Sequence, residues 1–166
     1  MVDRIKLLLC TGGLGLLPKA PGTWGSLAPL FILLTLGHFA VPQLIIICVL
    51  IVIILGSAII SISLAPWYTL HFGKKDPSQV VCDEWAGQSI ALLGMAWLEP
   101  SNHVSPGIWI SLALCTFVLF RIFDIWKPSL IDKAQQFRDG WGVLMDDIFA
   151  GIAAGILTGV LAVVLS

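Results

Sequence analysis

The sequence predicts an all-α fold: a polytopic membrane helix bundle of about five hydrophobic helices, some short or partial, with a polar site at the cytoplasmic face. Three observations carry this prediction. Of the 166 residues, 58% are hydrophobic and only 11% are charged, which is far more apolar than a soluble domain. Several apolar runs approach the roughly 20 residues that cross a bilayer. The charges are also grouped, since Arg4, Lys6, Lys19, Lys74, Lys75, Arg121, Lys127, Lys133 and Arg138 all fall in segments that alternate crossings place on one side. The length fits a single domain over 1–166. A net charge of −1 without a basic patch argues against a nucleic-acid partner, and the apolar runs make membrane lipids the expected surroundings and partners.

The elements follow in order. Arg4 and Lys6 precede the short apolar run Leu7-Leu8-Leu9-Cys10. No small-x-small cleavage site follows it, and Gly12, Gly13 and Pro18 interrupt it, so it reads as a short amphipathic or half-buried helix rather than a signal peptide. Pro21-Gly22-Thr23-Trp24-Gly25-Ser26 reads as a turn into a helix over Leu27 to Val41, with Thr23 or Ser26 as its cap. Leu44 to Leu64 is the cleanest span; Pro66 is expected to end it, with Trp67 and Tyr68 as interfacial anchors. A polar loop over His71 to Cys82 leads to Asp83-Glu84 and an apolar helix over Trp85 to Leu98, which Asp83 fits as N-cap.

Ile108 to Phe123 returns across the membrane and runs into Arg121 to Pro128, and Leu130 to Arg138 reads as a short surface helix. Ile148 to Leu165 is the last span, with Gly151, Ala154, Gly155 and Gly159 suited to close packing. Leu27 to Val41 and Trp85 to Leu98 are short for a crossing, so the pattern fits either five crossings or three full and two partial ones. The four scattered cysteines, Cys10, Cys48, Cys82 and Cys115, have no metal spacing and read as small packing residues. By the positive-inside rule the basic side is cytoplasmic. Every acidic residue except Glu99 falls on that side.

The groups that can do chemistry therefore share one face: Asp83, Glu84, Arg121, Asp124, Lys127, Asp146 and Asp147, with Thr23 and Ser26 nearby if the helices cluster. Several converging carboxylates without a Cys/His set suit a hard cation such as Mg²⁺, Mn²⁺ or Ca²⁺. Arg121, Asp124 and Lys127 follow one another at intervals of three, so a continuous helix puts a guanidinium and an ammonium on one side as a phosphate clamp. The glycine-rich turns at Gly22–Gly25 and Gly140–Gly142 can bring backbone N–H groups to phosphate oxygens. Each feature also has a plainer account. Asp83 and Asp146 fit as N-caps, Lys127 and Arg121 as juxtamembrane anchors, and the hydroxyls of Thr23 and Ser26 as caps. Asp83-Glu84-Trp85-Ala86-Gly87 and Asp146-Asp147-Ile148-Phe149-Ala150-Gly151 are also weak echoes of one another, each an acid pair before small residues.

Four blocks then match a family. Pro21-Gly22-Thr23-x-Gly25-Ser26-Leu27, Asp83-Glu84-x-x-Gly87, Arg121-x-x-Asp124-x-x-Lys127-Pro128, and Gly140-x-Gly142 with Asp146-Asp147-x-x-Ala150-Gly151 resemble the bacterial phosphatidylglycerophosphatase A family, in its order. The resemblance implies a Mg²⁺-dependent inner-membrane enzyme converting phosphatidylglycerol phosphate to phosphatidylglycerol and inorganic phosphate. Asp83, Glu84, Asp124, Asp146 and Asp147 are then expected to hold one or two Mg²⁺ and, with Arg121 and Lys127, to carry catalysis. Thr23, Ser26, Arg121, Lys127 and Gly142 are expected to seat the phosphate. The rival from another class is a small ion-coupled transporter or channel using the same carboxylates, which predicts acids in the middle of the spans.

Overall fold

The computed structural model describes residues 2–98, 105–126 and 140–165. Six α-helices and one 3₁₀ turn account for nearly all of them, with no strand among the described residues. They are α1 (Val2–Thr11), the turn Leu14–Leu16, α2 (Pro21–His38), α3 (Gln43–Phe72), α4 (Cys82–Leu93), α5 (Pro106–Trp126) and α6 (Gly140–Leu165). Three of them, α3, α5 and α6, are long and apolar enough to cross a membrane. The chain is a helical membrane protein, with α4 too short to cross.

Although short, α4 is the centre of the bundle and touches every other helix. Its tightest neighbour is α6. A Cβ on Gly87 would stand against the Asp147 carbonyl, one on Gly151 against the Gly87 carbonyl, and one on Gly94 against Gly155. Two backbones approach this closely only where side chains are missing, and without a hydrophobic drive between helices such contact is what holds membrane helices together. The echo between the two acid blocks has its spatial counterpart here, because Asp83 and Asp147 each stand four residues before one of the touching glycines, Gly87 and Gly151. Below this contact the main core gathers Leu30 and Leu33 of α2, Leu50 of α3, Leu92 of α4, Leu112 of α5 and Ala162 of α6, together with Met95.

Several boundaries differ from the sequence expectations. Pro66 does not end α3, which continues to Phe72. The proline removes one ladder hydrogen bond at a cost of about 3 kcal/mol, and packing offsets it. Beyond Pro66, Tyr68 is fully buried in a cluster with Cys10, Ala65, Val80 and Cys82, so it is a core residue and not an interfacial anchor. The helix expected from Leu27 begins at Pro21, a favoured first position because the missing N–H has no helical partner there. Thr23 and Ser26 consequently lie inside α2 and cap nothing. The helix expected from Trp85 begins at Cys82 after Val81, so Asp83 is not its N-cap, and the helix gives way to turns over 94–97. Gly140 to Gly142 is the first turn of α6 and not a connecting loop. A Cβ on Gly140 would strike Ala65 of α3. The surface helix expected over Leu130 to Arg138 lies outside the described residues.

Candidate active site

All the described charges gather at one end of the bundle. The first turns of α2, α4 and α6 and the last turns of α3 and α5 meet there. The Cys10 carbonyl of α1 also joins that end by accepting a 2.8 Å hydrogen bond from the Val81 amide. Asp3, Asp76, Asp83, Glu84, Asp124, Asp146 and Asp147 and every described lysine and arginine lie at this end, and none of the described charges lies at the opposite one.

Within it, carboxylate oxygens of Asp83, Glu84 and Asp147 lie within 4.8 Å of one another. Two ligand oxygens on opposite sides of one ion are about 4.2 Å apart for Mg²⁺ and about 4.8 Å for Ca²⁺, so a single cation could reach all three with little movement. Asp83 and Asp147 are buried, and Asp147 is within electrostatic reach of Asp124, Asp83 and Asp146. Arg121 forms an ion pair with Asp124, three residues on, and donates to the Ser26 hydroxyl at 3.3 Å. Ser26 in turn donates to the Gly22 carbonyl. Gly22 is pressed onto the site: an added Cβ would collide with Glu84 Oε1 and stand 3.2 Å from both terminal nitrogens of Arg121.

The electrostatics are unfavourable for the bare carboxylates. Burial, and then the Glu84 charge, push the Asp83 carboxyl well above the usual carboxylate range. Burial pushes Glu84 up to about 8, with Asp147 and Asp124 adding to the effect while the Asp83 hydrogen bond and Arg121 oppose it. Glu84 Oε2 and Arg121 Nε are buried without a hydrogen-bond partner among the described residues. Buried polar groups ordinarily find partners, and a donor set of oxygens alone is what a hard divalent cation selects. The residues fit a metal centre of that kind, with a guanidinium beside it for an anionic group.

The sequence candidates are therefore brought together unequally. Asp83, Glu84 and Asp147 converge; Asp124 joins them but is engaged by Arg121; Asp146 is buried and accepts from the Asp147 amide, outside the converging trio. Ser26 contacts Arg121 from α2. Thr23 is half-buried in the first turn of α2, and Gly142 is buried in the first turn of α6. Lys127 lies outside the described residues. Gln88 was passed over by the sequence reading. It is fully buried one turn beyond Glu84 on the same face, and neither its amide nitrogen nor its oxygen has a partner among the described residues. The spacing of four from Glu84 was the available signal.

Comparison with known proteins gives this geometry a family. The model of a family described as "Phosphatidylglycerophosphatase A" matches residues 7–162. The chain belongs to the phosphatidylglycerophosphatase A family. It is, by that membership, a phosphatase. Two relatives named phosphatidylglycerophosphatase A are similar to it. One, from Escherichia coli, is 37% identical, covering 93% of this chain and 86% of the relative; the other, from Haemophilus influenzae, is 32% identical, covering 95% and 88%. A Bacteroides thetaiotaomicron protein, provisionally named a phosphatidylinositol-3-phosphatase, is 36% identical and covers 94% of this chain and 92% of its own length. No solved structure gives a significant match.

Proposed function

We propose that this phosphatidylglycerophosphatase A family member hydrolyses the phosphate monoester of phosphatidylglycerol phosphate, with Mg²⁺, at the cytoplasmic face of the bacterial inner membrane, the whole chain acting as one domain. The observation that carries this reading is the meeting of three carboxylates within 4.8 Å beside Arg121, at the charged end of an otherwise apolar bundle. The names of the Escherichia coli and Haemophilus influenzae relatives support the substrate. The positive-inside rule supports the orientation, since that end holds all the described lysines and arginines.

Asp83, Glu84 and Asp147 are the residues that would hold Mg²⁺, with Asp124 and Asp146 alongside. Bound there, the ion supplies charge neutralisation at the phosphate and activation of water. The remaining work falls to the chain. Arg121, oriented by Asp124 and Ser26, places its guanidinium against the equatorial phosphate oxygens, with Lys127 as the expected second cation. The first turn of α2, with Thr23 and Gly22, and the first turn of α6, with Gly142, close around the headgroup. The acyl chains remain in lipid, because only the phosphate end has to reach the site.

The Bacteroides relative favours a second substrate of the same class, a phosphoinositide monoester. Phosphate release should be measured with both lipids in vesicles, with Mg²⁺ and with a chelator, for the native chain and for Asp124→Asn and Asp146→Asn. Mg²⁺-dependent release from phosphatidylglycerol phosphate, lost in the variants, is expected. Cation flux in reconstituted vesicles without phosphate release would sink the enzyme reading in favour of a transporter. Isotope-labelled water would separate direct attack from an aspartyl-phosphate intermediate.

A further inference from the structure

α1 carries an apolar face that no other described segment covers. Cys10 and Thr11 are buried, and Lys6 and Leu7 are half-buried, on the side turned towards α3 and α4. Val2, Ile5, Leu8 and Leu9 are exposed, at 63%, 51%, 58% and 44%. At 100° per residue these four fall on one arc of about 120°, the width of the apolar stripe by which an amphipathic helix is normally buried. Leu16 and Leu17 prolong the exposed apolar surface beyond the helix.

Two things identify what covers this arc. The first is depth. Asp3 accepts a 3.0 Å hydrogen bond from the Trp67 indole, and Lys6 stands 5.8 Å from the centre of that ring, which stacks on His71. Trp67 lies near the charged end of a membrane-spanning helix, the level of headgroups and aromatic belts. α1 is therefore held at the edge of the bilayer. The second is charge. Between residues 2 and 19 the chain has three cations, Arg4, Lys6 and Lys19, against the single acid Asp3, and Arg4 and Lys19 are exposed. An apolar arc flanked by exposed cations is suited to an anionic lipid surface.

We infer that α1 and Leu16-Leu17 form an in-plane anchor, lying in the interfacial layer with the apolar arc among acyl chains and Arg4 and Lys19 among anionic headgroups. Its place next to the site gives it a purpose. The Cys10 carbonyl binds the Val81 amide, two residues before Asp83, and the Trp85 ring lies so close over Gly12 that a Cβ there would strike it. The anchor thus sets the height and tilt of the carboxylates relative to the lipid surface. Its role in presenting substrate rests on the lipid-phosphatase reading above; its position in the membrane does not.

The test has two arms on the full chain in vesicles containing anionic lipid. A spin label is placed at Leu8→Cys in a Cys48→Ala, Cys115→Ala background and probed with oxygen and with a water-soluble nickel chelate. Accessibility to oxygen with shielding from nickel is expected. Free access of nickel overturns the proposal, as does shielding from both with label–label coupling, which would make a second copy the occupant. In the second arm, Ile5→Ser with Leu9→Ser, and separately Arg4→Gln with Lys19→Gln, are assayed on vesicle-borne phosphatidylglycerol phosphate and on a short-chain soluble analogue. The apparent KM for vesicle-borne substrate is expected to rise about 5-fold with kcat and soluble turnover unchanged, as loss of an interfacial contact predicts. Unchanged vesicle kinetics in both pairs would overturn the role in substrate presentation. A lipid-shielded label in a chain that released no phosphate would leave the anchor standing and refute only the enzymatic reading.

Discussion

At the residue scale, the site is built from side chains held where they are least comfortable. Asp147 meets Asp83 and Glu84 with little solvent to separate their charges. Asp147→Asn replaces one of the three converging carboxylates with a neutral amide, so phosphate release should fall by about 10²- to 10³-fold, the range for losing one preorganised electrostatic group. Titration of Mn²⁺ followed by electron paramagnetic resonance should show weakened binding in an otherwise folded chain. Glu84 also makes stability depend on pH. Its folded-state value is pushed up to about 8 from an ordinary 4.5, so between those values the folded state keeps a proton that the unfolded state has lost. The contribution is full below about 4.5 and is lost as pH rises towards 8. In chelator, the melting temperature of the native chain minus that of Glu84→Gln should fall across this window, and added Mg²⁺ should reduce the fall. Gln88 has two buried atoms without partners among the described residues. Replacing it with the similarly sized Met should stabilise the metal-free chain by about 1–3 kcal/mol, the cost of burying an unpaired amide. Denaturant midpoints in micelles would measure it.

At the scale of elements, the α4–α6 contact decides whether the carboxylates meet. Gly87 and Gly151 face each other's backbones, with the Gly87 carbonyl in the space that a Cβ on Gly151 would need. Gly151→Ala must push α6 away from α4, costing about 1–3 kcal/mol or more. It should lower activity together with stability, because Asp147 lies one turn away. Gly56→Ala is the matched control: it is also mid-helix, in α3, but with nothing near the added methyl. It should leave phosphate release unchanged and raise the melting temperature slightly, since alanine is the better helix former by about 0.5–1 kcal/mol. The small residues of the last span were legible as a packing surface. Their partner was not, since the glycine spacing on α6 does not say which helix it faces. Pro66 failed as a stop signal for a related reason. Local propensity sees the lost hydrogen bond but not Tyr68 packing against Cys10 and Cys82 two residues later.

At the scale of the whole molecule, the segregation of charge sets orientation. The end bearing Lys74 and Lys75 should face the cytoplasm, and the end bearing Gln43 should face outward. In a background without the exposed Cys48, Lys74→Cys should react with a membrane-impermeant maleimide only in inverted vesicles, and Gln43→Cys only in intact spheroplasts. Reaction from one side at both positions would overturn the bundle's direction across the bilayer.

Composition and charge grouping were enough to determine an all-helical membrane protein with its polar chemistry at one face, because hydrocarbon tolerates neither open backbone nor unpaired charge. The four residue blocks were enough to point to the family. The tertiary structure decided which acids converge. The sequence shows Asp146 and Asp147 as equivalent neighbours, and only the packing of α6 on α4 turns Asp147 towards Asp83 and Glu84. It also decided that a helix too short to cross the membrane is the centre of the bundle. Burial depends on what surrounds a helix, and that information lies in contacts between distant segments.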